Sequence, residues 1–267
     1  MPLERIVLQV QRRLAERREK RPLVQVERAA ARAAPARGFA RALRAAPGGM
    51  ALIAELKKAS PSAGVLRRDF EVAALAAALA GAGADALSVL TEVDHFQGAL
   101  AFLAVAGAPG LPRLQKDFIV DEYQVWEGRA AGADAVLLIA ALLEPQRSRA
   151  LAQLALDLGM DVLFEAHTGP EVERVAAAAA QAPERILVGI NNRDLHTFTV
   201  SLQRSLESLP QLAPGLFAVS ESGIQTAAHV QRLRVAGARA ILVGELLMRA
   251  TDPAAAARDL LREVRRG

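Results

Sequence analysis

Glu55 and Lys57 stand two residues apart in Ile53-Ala54-Glu55-Leu56-Lys57-Lys58-Ala59-Ser60-Pro61-Ser62, at the end of a run apolar enough for a strand covered on both faces. Residues two apart in a strand face the same side, so an acid and a base share one interior surface. Burying either is costly without a partner or a ligand. One such pair is equally well explained by a salt bridge closing a strand end. Three further apolar runs break the same rule: Leu114-Gln115-Lys116-Asp117-Phe118, Leu163-Phe164-Glu165-Ala166 and Gly189-Ile190-Asn191-Asn192-Arg193-Asp194. Two lysines, two glutamates and an asparagine at matching strand ends suit proton transfer. In a partly dry cavity one lysine stays cationic as an acid and one glutamate stays ionised as a base.

Two later runs carry different chemistry. Phe217-Ala218-Val219-Ser220-Glu221-Ser222-Gly223-Ile224 and Ile241-Leu242-Val243-Gly244-Glu245-Leu246 each place a small residue before the start of a helix. Free backbone N–H groups and the helix dipole then offer a seat for a phosphate. Other chemistries find little support. There is no Cys, which rules out thiolate ligands and cysteine nucleophiles, and the four His residues (His95, His167, His196, His229) lack metal-ligand spacing. Gly81-Ala82-Gly83 lies on the wrong side of a strand for dinucleotide binding and reads as a helix stop.

The elements that must position these residues follow from periodicity. Eight apolar runs, 51–56, 84–90, 113–117, 134–140, 161–166, 185–191, 215–220 and 239–244, alternate with helical stretches near 70–82, 97–107, 121–132, 144–159, 169–180, 200–209, 224–236 and 252–265. Eight βα units predict an α/β fold, a closed (β/α)8 TIM barrel of about 250 residues; a doubly wound open sheet is the alternative. In a barrel nearly all the unexpected polar residues fall at carboxyl ends of strands, where such folds carry their sites. Residues 1–48 remain as an extension of one or two helices ending at Pro47-Gly48-Gly49 and packing on the barrel, which occupies 49–267.

Residues 1–46 hold 12 Arg or Lys against 4 Glu, a net of +8, so the rest of the chain is net −4. With one aromatic, Phe39, to stack bases, and arginines alternating with Leu, Val and Ala, this arm reads as a solvated helical face rather than a nucleic-acid binder. No apolar run approaches the ~20 residues needed to span a bilayer, and the start lacks a signal-peptide layout. The expectation is a soluble, cytoplasmic enzyme, a monomer or weak homo-oligomer, acting on a small phosphorylated molecule without nucleic-acid or membrane partners.

In order along the chain, IAELKKASPS, LSVLTEVDHFQG, LQKDFIVDEYQV, GADAVLLIAALL, GINNRDLHTF, SESGI and VGELLMR resemble the indole-3-glycerol phosphate synthase family. That family belongs to tryptophan biosynthesis. The resemblance implies a carboxy-lyase that closes the ring of 1-(2-carboxyphenylamino)-1-deoxyribulose 5-phosphate, expels carbon dioxide and water, and needs no cofactor or metal. By resemblance Lys116 is the general acid of ring closure and Glu165 serves the later loss of water. Lys57 meets the substrate carboxylate or assists proton transfer, Glu55 orients Lys116 or Lys57, and Asn191 holds a substrate hydroxyl. Ser60 contacts the carboxylate region, with Arg193 and Glu221 as further substrate contacts. Backbone amides of Ser222, Gly223, Gly244 and Glu245 hold the phosphate, with Lys57 near by. The aromatic ring rests on Pro61, Phe96, Phe118, Leu137 and Phe198. One feature stands out: Glu245 is anionic beside a dianionic phosphate, so its side chain is expected to turn away. The isomerase one step earlier in the pathway is the nearest rival, but its family acts through a cysteine.

Overall fold

Period-two alternation sorts the residues of each strand between two surfaces, and the barrel follows from both being apolar. The computed structural model describes residues 3–194, 197 and 199–265. Eight parallel strands close in sequence order: β1 Ala51–Leu56, β2 Ala86–Leu90, β3 Arg113–Lys116, β4 Ala135–Ile139, β5 Asp161–Ala166, β6 Ile186–Asn191, β7 Ala218–Glu221 and β8 Ala240–Val243. Closure joins β1 to both β8 and β2, with Ile53 opposite Leu242 and Ala86, which excludes the open sheet. Ala51, Ile53, Leu114, Leu137, Leu163, Leu187 and Val219 fill the lumen. Their neighbours Leu52, Ala54, Val136, Phe164 and Val188 pack outward against the helices.

Three helices precede the barrel, α1 Leu3–Lys20, α2 Leu23–Arg32 and α3 Phe39–Arg44, where the sequence predicted one or two. Ala34-Pro35 separates α2 from α3, and the left-handed Gly48 (φ 68°) turns the chain into β1. The barrel helices are α4 Val72–Gly81, α5 Ala101–Val105, α6 Glu122–Ala130, α7 Pro145–Asp157, α8 Gly169–Ala179, α9 Gln203–Ser208, α10 Ala227–Ala236, α11 Glu245–Arg249 and α12 Pro253–Leu261. Strand β7 starts three residues later than its apolar run, because Gly215 (φ 92°) turns the chain just before it. Helix α11 starts directly after Gly244, where the phosphate-seat pattern expects a helix, but at five residues it is too short to show a period of its own.

The extension clasps the barrel from one end to the other. At the mouth, α1 is tied by Arg13 to Asp94 (2.5 Å), Arg17 to Glu127 (3.1 Å) and Arg18 to Asp121 (2.6 Å). Along the side, Leu14 and Val26 pack on Tyr123 of α6, whose hydroxyl donates to the carbonyl of Arg21 at 2.8 Å. At the foot, Phe39 and Leu43 join the lumen core.

Buried charge is not confined to the mouth, which corrects the expectation that polar residues gather at the carboxyl ends. Asp134 and Asp161, at the amino-terminal edge of β4 and β5, are buried, as is Arg113 at the start of β3. Asp134 accepts from the N–H of Arg37 (2.8 Å) and of Arg113 (2.8 Å) and from Arg113 Nε (3.1 Å). Asp161 accepts from the N–H of Ala40 (2.8 Å) and pairs with Arg185. These carboxylates tie the extension to the strands.

Candidate active site

Carrying the lumen parity one step past the last apolar residue of each strand builds the site. Ile53 leads to Glu55, Leu114 to Lys116, Leu163 to Glu165, Leu187 to Gly189 and Asn191, and Val219 to Glu221. All five polar side chains line one cavity of about 840 Å³ at the carboxyl ends of the strands, beneath Ile6 of α1.

Charge pairing divides the cavity floor in two. Lys57 Nζ lies 2.6 Å from Glu55 Oε1, and Ser88 donates to the other oxygen of Glu55 at 3.4 Å. Lys116 Nζ donates to Glu165 Oε2 at 2.9 Å and lies 3.4 Å from Glu221. Of the two partners expected for Glu55, the geometry therefore selects Lys57, its neighbour of like parity. Lys116 is held instead by the acids of β5 and β7, whose ends face it across the lumen. Asn191 donates to Glu165 Oε1 at 3.0 Å.

The electrostatics follow from burial against pairing. Burial alone would lower the Lys116 ammonium, but the carboxylates of Glu165, Glu221 and Glu55 outweigh it and raise its pKa, so it is a cation at neutral pH. Burial pushes Glu165 upward, yet Lys116 and then His167 hold it well below the usual carboxylate range. Glu221 is pushed up to about 8, by burial first and by the charge of Glu165, with Lys116 only partly opposing. One lysine thus faces an ionised acid and a second acid that carries a proton through most of the neutral range. Such a set can give and take protons at one bound molecule.

Pro61, Phe96, Phe118 and Leu137 form an apolar wall of the same cavity, with Phe96 and Phe118 tilted against each other at 6.2 Å between centroids. Phe198 lies outside the described residues. Two acids that the sequence reading left unassigned fix this wall. Glu92 accepts from the N–H groups of Asp94, His95 and Phe96 at 3.1, 2.7 and 3.0 Å, and Asp117 accepts from the N–H of Phe118 at 2.8 Å. Both stand just past strand ends, inside the runs that carry Phe96 and Phe118, which was the available signal. Ser60 is at the rim, its hydroxyl accepting from the N–H of Ala63 at 3.2 Å.

Ser222, Gly223, Gly244 and Glu245 line the opposite side. Ser222 (φ 66°) and Gly223 (φ 77°) are both left-handed, a conformation costing roughly 1 kcal/mol at a serine. Asn192 holds the turn by donating to the carbonyl of Ser222 at 3.1 Å and to the hydroxyl of Ser220 at 3.0 Å. The Glu245 carboxylate is engaged by Arg193 (3.3 Å) and Arg249 (3.1 Å), so its charge is balanced within the rim. Among the described residues, no group of three His, Cys, Asp or Glu side chains is placed to hold a metal ion.

The sequence profile of indole-3-glycerol phosphate synthase matches residues 3–260. The indole-3-glycerol phosphate synthase of Laribacter hongkongensis is 47% identical over 258 residues, covering 95% of this chain and 96% of its own. That of Chromobacterium violaceum is 50% identical over 236 residues, 87% of each chain. In backbone the chain is similar to 3-hexulose-6-phosphate synthase from Salmonella typhimurium, with a TM-score of 0.62 at 15% identity over 81% of this chain and 98% of that one. It is likewise similar to orotidine 5'-phosphate decarboxylase from Pyrococcus horikoshii, with a TM-score of 0.60 at 14% identity over 80% and 99%.

Proposed function

The chain belongs to the indole-3-glycerol phosphate synthase family and carries its carboxy-lyase activity in tryptophan biosynthesis; on that premise we propose how the mouth of this barrel performs the reaction. Lys116 is the general acid: it protonates or polarises the substrate ketone as the aromatic ring carbon attacks. Loss of carbon dioxide then restores an electron pair to the ring. Glu165, ionised and anchored, draws off the proton whose removal accompanies loss of water. Lys57, held by Glu55, meets an anionic group of the substrate or assists proton transfer. Asn191 holds a substrate hydroxyl, and Ser60, Arg193 and Glu221 complete the polar contacts.

The phosphate sits against the amides of Ser222, Gly223, Gly244 and Glu245, with Lys57 near by, and the aromatic ring lies on Pro61, Phe96, Phe118 and Leu137, with Phe198 continuing that wall. Residues 1–48 act as a cover on the catalytic barrel of 49–267. The enzyme works in the cytoplasm as a monomer or weak homo-oligomer, without nucleic-acid or membrane partners and without a cofactor; among the described residues no helix is long and apolar enough to cross a membrane.

The observation that carries the assignment is the Lys116–Glu165 contact of 2.9 Å, with Glu221 at 3.4 Å on the same ammonium. Lys116→Met keeps much of the stem but removes the proton, so kcat should fall by ~10² or more with KM little changed. Lys57→Met should act substantially through KM. Steady-state fluorescence of the indole product reads both. The reverse pattern would exchange the two roles, and near-wild-type kcat in both variants would sink the mechanism.

A further inference from the structure

His167 is a buried ionisable side chain that neither touches the cavity nor takes part in the proposed proton transfers. It follows Glu165 by two residues, so it shares the parity that pairs Glu55 with Lys57. Its Nε2 lies 3.0 Å from Glu165 Oε1 as an ion-pair contact without hydrogen-bond alignment; that oxygen accepts from Asn191, while Glu165 Oε2 accepts from Lys116. Its Nδ1 lies 3.6 Å from Glu171 Oε2.

The start of α8 is shaped around this ring. Thr168 caps the helix, and Glu171 stands where a capping box would send its carboxylate back to the N–H of the cap itself. Here Glu171 reaches one residue further and accepts from the N–H of His167 at 2.8 Å. The helix terminus is thereby joined to the floor of the active site. The ring is 7% exposed and stands behind Glu165, away from the cavity wall.

We propose that His167 is a positioning residue that clamps Glu165 in a single orientation and keeps it ionised for the loss of water. This rests on the reading of Glu165 as the base of that step. The charged groups facing the ring are Glu165 on its own strand and Glu171 on α8; beyond Glu165 stand Lys116 of β3 and Glu221 of β7. Burial would lower the imidazole, but the two flanking carboxylates outweigh it and push its pKa up to about 9. With the ring cationic, Glu165 is held between two positive charges, and its proton affinity is low until substrate arrives.

The test is the pH dependence of kcat for His167→Leu and His167→Gln, with Glu165→Gln alongside, in the full-length enzyme. His167→Leu should lose about tenfold in kcat with KM within about twofold. Its acid limb should move to higher pH, because Glu165 loses one of the charges that keep it ionised. His167→Gln can return an N–H to Oε1 without charge, so it should recover part of kcat and keep the displaced limb. In the wild type, the ring's carbon and nitrogen chemical shifts should report a cation at pH 7 whether or not the variants fold. A neutral ring at pH 7, an unshifted acid limb in a folded His167→Leu, or unchanged kcat would each overturn the proposal. If Glu165→Gln itself keeps kcat, the role of Glu165 has failed; if only the His167 variants are silent, the clamp alone has.

Discussion

The foot and the mouth of this barrel both bury carboxylates, and the acids grouped around the two lysines set the mouth apart. At the foot each acid is answered locally: Asp134 by two backbone N–H groups and Arg113, Asp161 by the N–H of Ala40 and Arg185, Asp85 by the N–H of Leu52 and Arg265. At the mouth, Glu55, Glu165 and Glu221 share two lysines, and neither oxygen of Glu221 accepts a hydrogen bond. Buried charge therefore does not mark a site by itself. What separates the two ends is Glu221: Glu92, Asp117, Glu55 and Glu165 at the mouth each have partners, whereas Glu221 accepts no hydrogen bond before any ligand binds.

The comparison is broken most directly at the foot. Asp134→Ala would leave the buried Arg113 guanidinium without its carboxylate, so stability should fall by about 3–4 kcal/mol. Folded enzyme should keep its kcat within about twofold. Chemical unfolding and kinetics on the same preparation check this, and a large kcat loss at full stability would erase the distinction.

At the mouth the sign should reverse. Folding raises the Glu221 carboxyl from the usual 4.5 to about 8, so the native state binds a proton that the unfolded chain releases in that window. Stability from this group is therefore lost as pH rises from about 4.5 to 8. Glu221→Gln should flatten that fall and stabilise the protein at neutral pH by on the order of 1–3 kcal/mol, while kcat drops about tenfold. His167 also loses stability as pH rises, between about 6.5 and 9, and the carboxyls of Asp85, Asp117 and Glu127, which burial likewise raises, contribute at lower pH, so Glu221 is read from the difference between variant and wild type. Unfolding curves with the same slope in variant and wild type would refute the assignment.

The smallest effect belongs to α1, which covers the mouth through partly exposed arginines. Replacing Arg13, Arg17 and Arg18 together by Ala should raise KM by about threefold at low salt and less at high salt, since screened surface pairs contribute little. An unchanged KM at every ionic strength would show that Ile6 and its apolar neighbours seat the helix alone.

This contrast also explains what was legible in the sequence. Glu55, Lys57, Lys116 and Glu165 are visible in the sequence because each interrupts an apolar run at its carboxyl end, and in the barrel the lumen parity of their strands brings Glu55, Lys116 and Glu165 together. Parity carried two residues past Glu165 reaches His167, but a lone histidine beyond a strand end, without metal-ligand spacing, gives no signal of its own in the sequence. Asp134, Asp161 and Arg113 were hidden, since each begins a run, and only the fold reveals the backbone groups that satisfy it. The choice of partner for Lys116 was equally out of reach. It depends on which strand ends face one another across the closed barrel, and Glu55 is spoken for by Lys57. The helices were found where they are long, whereas α11 has too few turns and α3 is separated from α2 only by a short extended stretch.

Two glycines, Gly189 in β6 and Gly244 just past β8, have a bearing on anyone who would transplant this mouth to another barrel. A Cβ on Gly244 would collide with Glu55 Oε1, and one on Gly189 would stand 2.5 Å from Glu221 Oε1. Each of these two acids thus occupies the volume that a neighbouring glycine leaves open. Grafting the charged residues alone would drive both carboxylates against side chains of the host. For Glu55 and Glu221 the transferable unit is the acid together with its missing methyl group, and a scaffold can receive these two only where it can lose a side chain beside each.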